Sequence, residues 1–380
     1  MTAETTIFTT MTALAEETGA LNLGQGFPDE DGPAEVVEAA VAARRSGTRN
    51  QYAPLGGVPE LRAAILDHQR RHYGLEPEAV QVTFGATEAL AAAVLGLVRD
   101  GDEMVILDPS YDSYAPIARL AGARLRRVAL HPPDWRLDLD ELAAAITPRT
   151  RLLLVNSPHN PTGRVLDRSE LEGIAAICRE RDVVAVTDEV YEHLVFDGEH
   201  IPLATLPGMA PRTLTISSIG KTFSLTGWKV GWATGPAELV GALRGVKQFL
   251  SFAGGTPLQA AAAAALGLDA GYPVRLRDAL HAKRDRLAAG LRAAGFDVLA
   301  SQGTYFVCAD ATPLGHDDAE ALCLRLPHEA GVVAIPVSAF VEDRAGPARP
   351  LVRFAFCKRE AVLDEAIDRL RAWGARARTP

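Results

Sequence analysis

The sequence predicts an α/β fold in which a largely parallel sheet lies between helices. Residues 104–107, 152–155 and 183–187 are almost entirely apolar, as strands buried on both faces are. Helical patterns separate strands along the chain, which is the connection that a parallel sheet requires. Polar residues follow these strands directly, so they would meet at the sheet edge where such folds bind ligands. We therefore expect a ligand site at the carboxyl ends of the strands.

Apolar spacing, prolines and glycines divide the chain into helices and strands. The clearest helix begins at Pro59, which suits a first helical position, and it places Leu61 and Ile65 on one face before Gly74. Helices are predicted at residues 12–17, 33–43, 59–73, 85–98, 139–145, 168–181, 236–252, 257–268, 272–294, 317–330 and 360–373. Strands are predicted at residues 80–84, 104–107, 124–130, 152–155, 183–187, 213–216, 230–233, 296–299, 305–309, 332–335 and 351–356.

Length, charge and cysteine content narrow the class of protein. A chain of 380 residues exceeds the usual size of one hydrophobic core, so we expect two domains. The net charge of −9 argues against nucleic acid as the main partner. Four scattered cysteines lie in or beside apolar runs without metal-ligand spacing, so we expect free buried thiols and no metal. Residues 1–4 do not begin a signal peptide and no apolar stretch is long enough for a membrane span, so we expect a cytoplasmic protein without a membrane partner.

The segment at residues 217–232 carries the most distinctive chemistry. It places two lysines, glycines and several hydroxyls between two predicted strands. A lysine that is partly desolvated beside another cation has a lowered pKa and becomes an amine nucleophile. Lys221 would then form a Schiff base with a carbonyl cofactor, and Ser218 and Lys229 would hold its phosphate. Taken alone, the segment also fits two exposed lysines on a surface turn.

Two further strand ends offer polar groups. Residues 80–84 run into Gly85, Ala86 and Thr87 at the start of a predicted helix, where free N–H groups and the helix dipole favour an anion. Many α/β crossovers share this pattern. Asp188 ends the predicted strand at 183–187, and a buried carboxylate there is costly unless a cation meets it.

Four separate motifs resemble those of the class I/II aminotransferases, in the same order and at similar spacing. They are residues 160–163 (NPTG), 188–191 (DEVY), 218–221 (SIGK) and 227–231 (GWKVG). The resemblance covers nearly the whole chain. It implies fold type I of the pyridoxal-phosphate enzymes, with a mostly parallel seven-stranded sheet in a large domain and a smaller α+β domain. The implied boundaries are 33–270 for the large domain and 271–380 for the small one, with residues 1–32 belonging to the small domain.

The resemblance implies roles around the cofactor ring. Lys221 resembles the Schiff-base lysine that also moves the substrate's α-proton. Asp188 resembles the residue that keeps the pyridine nitrogen protonated, so that the ring acts as an electron sink. Tyr191 and Asn160 resemble the pair that hydrogen-bonds the phenolic oxygen, and Tyr111 resembles the ring stacked on the pyridine. The resemblance therefore implies that Lys221, Asp188 and Tyr191 are the catalytic residues.

The phosphate site and the subunit partner follow from the same resemblance. Ala86, Thr87, Ser218 and Lys229 resemble the phosphate-binding residues. Most members of the family carry arginine in place of Lys229. A lysine supplies a point charge for the phosphate, whereas arginine supplies a fork of two donors. Tyr52 resembles the tyrosine that reaches the phosphate of the neighbouring subunit, which implies a homodimer with shared active sites.

The implied substrate contacts come from distant parts of the chain. Arg353 resembles the arginine that binds the α-carboxylate in a bidentate fork, with the Gly26 backbone and Asn160 contacting the substrate beside it. His159 and Cys357 lie next to these motifs in sequence, and we expect both to be structural.

The resemblance implies transfer of an amino group between an L-amino acid and a 2-oxo acid by a ping-pong mechanism. Within the family the chain resembles the actinobacterial N-succinyldiaminopimelate aminotransferases, with 2-oxoglutarate as acceptor, and the glutamine, methionine and kynurenine transaminases. A cysteine-conjugate β-lyase on the same scaffold is the alternative in another enzyme class. Arg49 is a candidate for a distal substrate carboxylate, and Phe27, Tyr111 and residues 338–340 are candidates for an apolar path to it.

Overall fold

Helix α1 (Ile7–Thr18) and strand β1 (Leu21–Asn22) open the chain in this computed structural model, which describes residues 6–377. The Thr6 hydroxyl caps α1 by accepting a hydrogen bond from the Thr9 N–H (3.3 Å), and the helix therefore begins earlier than predicted. Residues 1–5 and 378–380 lie outside the described residues. The expectation that residues 1–4 do not begin a signal peptide therefore concerns residues outside the described part. The same is true of the first five residues of the predicted segment 1–32 and the last three of the predicted domain 271–380.

The large domain follows. Its helices are α2 (Ala34–Arg45), α3 (Pro59–Tyr73), α4 (Gly85–Leu97), α5 (Tyr114–Leu120), α6 (Leu139–Ala145), α7 (Arg168–Glu180), α8 (Ile219–Thr222), α9 (Ala237–Leu250) and α10 (Thr256–Leu266). Its strands are β2 (Ala79–Phe84), β3 (Glu103–Asp108), β4 (Arg124–Ala129), β5 (Thr150–Asn156), β6 (Val184–Asp188), β7 (Thr213–Ser218) and β8 (Val230–Gly235).

These strands form one seven-stranded sheet in the order β2-β8-β7-β6-β5-β3-β4. Strand β8 runs antiparallel to β2 and β7, and the other neighbours are parallel. The predicted mostly parallel seven-stranded sheet is therefore confirmed. Its register places Asn156 beside Asp188 at the ends of β5 and β6, and Ser218 beside Gly231 where β7 meets β8. Strand ends that lie far apart in sequence thus share one edge.

The last part of the chain forms a smaller antiparallel sheet with helices. Its elements are α11 (Gly271–Ala294), β9 (Asp297–Val298), β10 (Phe306–Asp310), α12 (Ala319–Glu329), β11 (Val332–Val333), β12 (Ile335–Pro336), β13 (Leu351–Ala355) and α13 (Glu360–Ala377). The strand order is β12-β13-β10-β9. This sheet confirms the predicted smaller α+β part.

The N-terminal segment packs with the smaller sheet. Strand β1 pairs in parallel with β11, and Met11 and Leu23 belong to the same buried core as Phe354 and Trp373. The assignment of residues 1–32 to the small domain and the boundaries at 32 and 270 remain predictions. All four cysteines are free and buried, as expected. None of the helices within residues 6–377 is long and apolar enough to cross a membrane.

Candidate active site

A cavity of about 700 Å³ opens where β5, β6 and β7 end beside the start of α4. This is the edge at which the sequence predicts a ligand site. Nine of the predicted site residues line it: Ala86, Thr87, Tyr111, Asn160, Asp188, Tyr191, Ser218, Lys221 and Lys229. Gly26, Tyr52 and Arg353 lie outside its lining.

Lys221 projects from the short helix α8 and is half-buried. Burial lowers the pKa of its ammonium to about 8, and the nearby cations Arg353 and Lys229 add to that lowering against two acidic neighbours. The Lys221 Nζ donates a hydrogen bond to the Tyr305 hydroxyl (2.9 Å), which in turn donates to the Gly26 carbonyl. The amine is therefore held in place and loses its proton near pH 8, well below the pH at which an ordinary lysine does so, as a nucleophile or base requires.

Asp188 is a buried carboxylate without a matching cation. The Tyr114 hydroxyl donates to its Oδ2 (2.8 Å), and no lysine, arginine or histidine within residues 6–377 forms a salt bridge with it. Burial raises its pKa from 3.8 to about 6, although the Tyr114 hydrogen bond opposes this. A protonated ring nitrogen would supply the missing positive charge, which is the role that a pyridine cofactor fills.

The start of α4 forms an anion site with the lysine segment. Gly85, Ala86 and Thr87 are its first residues, whose N–H groups have no partner inside the helix. Ser218 and Lys229 line the same cavity, and a Cβ added to Gly85 would lie 3.5 Å from the Lys229 Nζ. Lys229 itself adopts the left-handed conformation (φ 55°), which turns the chain after the 3₁₀ turn at Thr226–Trp228. Helix N–H groups, a hydroxyl and an ammonium are a donor set that fits a phosphate.

Aromatic and amide groups lie between these two sites. Tyr111 is half-buried, and burial raises its pKa to about 12. Its ring meets the Tyr114 ring edge-on at 5.7 Å. Tyr191 is buried, with its ring edge-on to Tyr305 at 5.2 Å. A planar ring between the Asp188 carboxylate and the phosphate site would therefore find aromatic walls and hydroxyl donors. The set of groups in this cavity fits pyridoxal phosphate.

Arg353 lies beyond Asn160 and is almost completely buried, at 1% exposure. Its Nη1 donates to the Asn160 Oδ1 (2.8 Å) and its Nη2 to the Gly24 carbonyl (2.9 Å), while its buried Nε has no partner. The guanidinium also stacks on the Phe306 ring at 3.9 Å. Like Asp188, Arg353 has no oppositely charged salt-bridge partner within residues 6–377. An incoming carboxylate would give it the ion pair that burial calls for.

The other sequence predictions fall outside the cavity. Tyr52 is 79% exposed and stacks edge-on against Phe252 in a surface groove that also contains Arg49. His159 is buried with its Nδ1 hydrogen-bonded to the Thr162 hydroxyl (2.8 Å), which agrees with a structural role. Cys357 is also buried, and burial raises its pKa to about 11. Both observations favour the expectation that these side chains take no part in the chemistry.

Sequence analysis missed three residues that position the site. Tyr114 holds Asp188, Tyr305 holds Lys221, and Asn156 joins two strand ends. The Asn156 Nδ2 donates to the Asp188 carbonyl, and its Oδ1 accepts from the Asn160 N–H, both at 2.8 Å. Asn156 is the polar residue that ends an apolar strand, and Tyr114 lies in the polar segment that follows strand β3. Both positions could therefore have been recognised from the sequence. Nothing local in the sequence marks Tyr305.

Comparison with known proteins shows the family of this chain. The family model for aminotransferase class I and II matches residues 18–370. The probable N-succinyldiaminopimelate aminotransferase DapC of Mycobacterium tuberculosis is 53% identical, over 99% of this chain and 98% of its own length. A solved structure of N-succinyldiaminopimelate aminotransferase from Mycobacterium tuberculosis has a TM-score of 0.95 and 54% identity, covering 97% of both chains. The methionine aminotransferase of Escherichia coli is 42% identical, over 97% of this chain and 95% of its own length. This chain therefore belongs to the class I and II aminotransferases, enzymes that use pyridoxal phosphate.

Proposed function

We propose that Lys221, Asp188 and Arg353 carry out the transamination, each in the role that the family resemblance implies. The observation that supports this most directly is one cavity that joins an amine of lowered pKa to a buried carboxylate without a cation. Such paired perturbations of pKa are typical of catalytic groups. Arg353, close to the same cavity through Asn160, adds a buried cation without a carboxylate.

When bound, pyridoxal phosphate supplies a carbonyl that reacts with amines and a ring that withdraws electrons from the substrate Cα. Lys221 would take the proton from that Cα at its Nζ and pass it to the cofactor carbon that bore the carbonyl. In the second half-reaction it would carry a proton in the opposite direction, to the Cα of the product amino acid. The Tyr305 hydroxyl, 2.9 Å away, orients the Nζ for both transfers. Asp188, held by Tyr114, stays ionised beside a protonated ring nitrogen and keeps the proton there.

The remaining cavity residues bind and orient the cofactor. Ala86, Thr87, Ser218 and Lys229 hold the phosphate at the start of α4. Tyr111 covers one face of the ring. Asn160 and Tyr191 would hydrogen-bond its phenolic oxygen. The Asn160 Oδ1 already accepts from Arg353, so Asn160 would use its amide N–H group as the donor.

Arg353 binds the α-carboxylate of every substrate. Its rigid fork suits a bidentate contact, and the Phe306 ring at 3.9 Å keeps water from one of its faces. Gly26 packs against the same Phe306 ring, since a Cβ added there would lie 2.4 Å from it, and the Gly26 carbonyl accepts a hydrogen bond from the Tyr305 hydroxyl. Tyr305 therefore joins the amine of Lys221 to the Gly26 backbone.

For the amino donor we propose N-succinyldiaminopimelate, with 2-oxoglutarate as acceptor. The support is the 53% identity, over 99% of this chain, to the relative that carries this name. A distal carboxylate needs a cation outside the described cavity lining, whose only cationic side chains are Lys221 and Lys229. Arg49 is a weak candidate, because it pairs with Glu60 at 2.5 Å in the surface groove beside Tyr52.

The alternative donor is methionine, which the 42% identical relative from Escherichia coli favours. The test compares kcat/KM for N-succinyldiaminopimelate, methionine, glutamine and kynurenine with 2-oxoglutarate as acceptor. Release of pyruvate and ammonia from a cysteine conjugate measures β-lyase activity in parallel. We expect N-succinyldiaminopimelate to be preferred by tenfold or more. A tenfold preference for methionine, glutamine or kynurenine would refute N-succinyldiaminopimelate as the donor and would leave the aminotransferase assignment unchanged.

We also propose a homodimer in which Tyr52 reaches the phosphate of the partner subunit. The support is an exposed apolar patch in which Phe249 is 86% exposed and Tyr52 stacks on Phe252. Light scattering after gel filtration is expected to give twice the chain mass. Tyr52→Phe is expected to keep the dimer and to raise the Kd for pyridoxal phosphate about tenfold, since a hydrogen bond to a charged group contributes ~1.5 kcal/mol or more. Tyr272→Phe, outside the cavity, is the matched control. A monomeric wild type would overturn the proposal.

A further inference from the structure

Three histidines cluster behind the active site, away from the cavity described above. His68 and His72 lie four residues apart on α3, which places both on one face of the helix. His193 comes from the loop after β6, and its Nε2 lies 2.7 Å from the Nε2 of His68. The His72 ring is 4.6 Å from the His68 ring and 4.8 Å from the His193 ring, centroid to centroid. One ring nitrogen from each histidine lies within 4.8 Å of the other two.

This arrangement supplies what a transition metal ion needs. Imidazole nitrogens are the usual ligands of zinc and its neighbours, and three histidines with one open position form a common zinc site. Histidines must be neutral to bind a metal.

The charges around the cluster favour a cation. The buried Glu192 lies next to His193 in sequence, and its carboxylate accepts from the Tyr73 hydroxyl (2.7 Å) and the Ser217 hydroxyl (2.6 Å). These two bonds hold a negative charge at a fixed place near the histidines. The positive charge of the neighbouring Arg71 would repel a bound cation, but this repulsion is reduced because Arg71 forms a salt bridge with Asp67 at 2.6 Å. The surroundings thus compensate part of the charge of a bound ion.

Solvent reaches the cluster from a second cavity. His72, Tyr73, Glu192 and His193 all line this cavity, which is open to the surface, and His72 is itself exposed. The buried His68 lies on the inner side. A hydrated ion could therefore enter from solvent, exchange water for imidazole nitrogens, and keep one water as its fourth ligand.

We propose that His68, His72 and His193 form a binding site for a divalent transition metal ion, with Zn²⁺ as the ion of choice. The ion would move the two Nε2 atoms apart and replace their hydrogen bond by two coordinate bonds. It would also connect α3 to the loop that follows Asp188 and Tyr191. This site departs from the expectation of no metal, which rested on cysteine spacing and overlooked the two histidines four residues apart on α3.

The test titrates Zn²⁺ into the holoenzyme by calorimetry, after removal of metals with a chelator. Wild type is expected to bind one Zn²⁺ per chain and to unfold at a higher temperature when the ion is present. His72→Ala, at an exposed position, and His193→Ala are each expected to weaken binding by tenfold or more and to abolish the thermal shift. His328→Ala, an exposed histidine on α12, is the matched control and is expected to change neither readout.

Three outcomes would overturn the site. Absent or non-saturable binding by the wild type, or binding that both cluster variants leave unchanged, would mean an adventitious ion only. Weakening by His72→Ala without weakening by His193→Ala would reduce the site to a surface contact on α3. Circular dichroism of each variant confirms that it is folded before binding is compared.

Discussion

Asp188→Asn is expected to stabilise the apoenzyme and to disable the holoenzyme. The wild-type carboxylate is buried, with the Tyr114 hydroxyl as donor and no salt-bridge partner within residues 6–377. Without the cofactor, its negative charge is therefore a cost to the folded state at neutral pH. With the cofactor bound, the same charge is needed beside the ring nitrogen.

The magnitude follows from the pKa of Asp188, which burial raises from 3.8 to about 6. Between these values the folded state binds more protons than the unfolded state, so the free energy of unfolding falls as pH rises. The stabilising contribution of the protonated carboxyl is complete below about pH 4 and is lost as pH rises through 6. A difference of about two in pKa corresponds to ~3 kcal/mol. The asparagine variant avoids this loss, so it is expected to gain up to about 3 kcal/mol over wild type at pH 7.5.

The assay is urea unfolding of both apoproteins at pH 4.5 and 7.5, at one protein concentration because the chain is proposed to dimerise. The advantage of the variant is expected at pH 7.5 and should shrink towards pH 4.5. In the holoenzyme, loss of one partner of a buried charge pair removes about 3–5 kcal/mol, or a 10²- to 10⁴-fold decrease in kcat. Tyr114→Phe is the control, since it removes the donor and keeps the charge. Equal stability of the two apoproteins at pH 7.5, or a kcat near that of wild type, would refute this reasoning.

Three further substitutions test the remaining contacts. Lys221→Ala should abolish turnover and retain the cofactor non-covalently, and mass spectrometry after borohydride treatment of wild type should locate the cofactor on Lys221; attachment to another lysine would contradict the assignment. Arg353→Lys should raise KM about tenfold or more for every α-carboxylate substrate alike, since loss of a bidentate contact removes ~1.5 kcal/mol or more, whereas an effect that varies with the side chain would make Arg353 a specificity residue. Tyr305→Phe should lower kcat about tenfold at unchanged cofactor absorbance, because the Lys221 Nζ loses its 2.9 Å acceptor; an unchanged kcat would show that Lys221 needs no such support.

Local sequence determined the sheet and most of the cavity lining. Burial on both faces of a parallel sheet demands apolar strands, so the strands that end at Asn156 and Asp188 stand out by composition alone. The strand that ends at Ser218 is indicated instead by the alternation of threonine with leucine and isoleucine. Polar side chains directly after such strands must then lie at one edge. Lys221 and Asp188 were therefore predictable, because their positions depend on strand ends rather than on packing between distant segments.

The partners of these residues were decided by tertiary structure alone. Tyr305 meets Lys221 across 84 positions of sequence, Tyr114 meets Asp188 across 74, and His193 meets His68 across 125. Each contact depends on which strands are neighbours and how helices pack over them, and no local pattern encodes those choices. Whether a strand is buried can be seen in its own composition. A hydrogen bond or a metal site instead needs two or more segments to lie within a few ångströms of one another. The sequence by itself therefore determined where the chemistry lies, and only the tertiary structure decided which side chains hold it there.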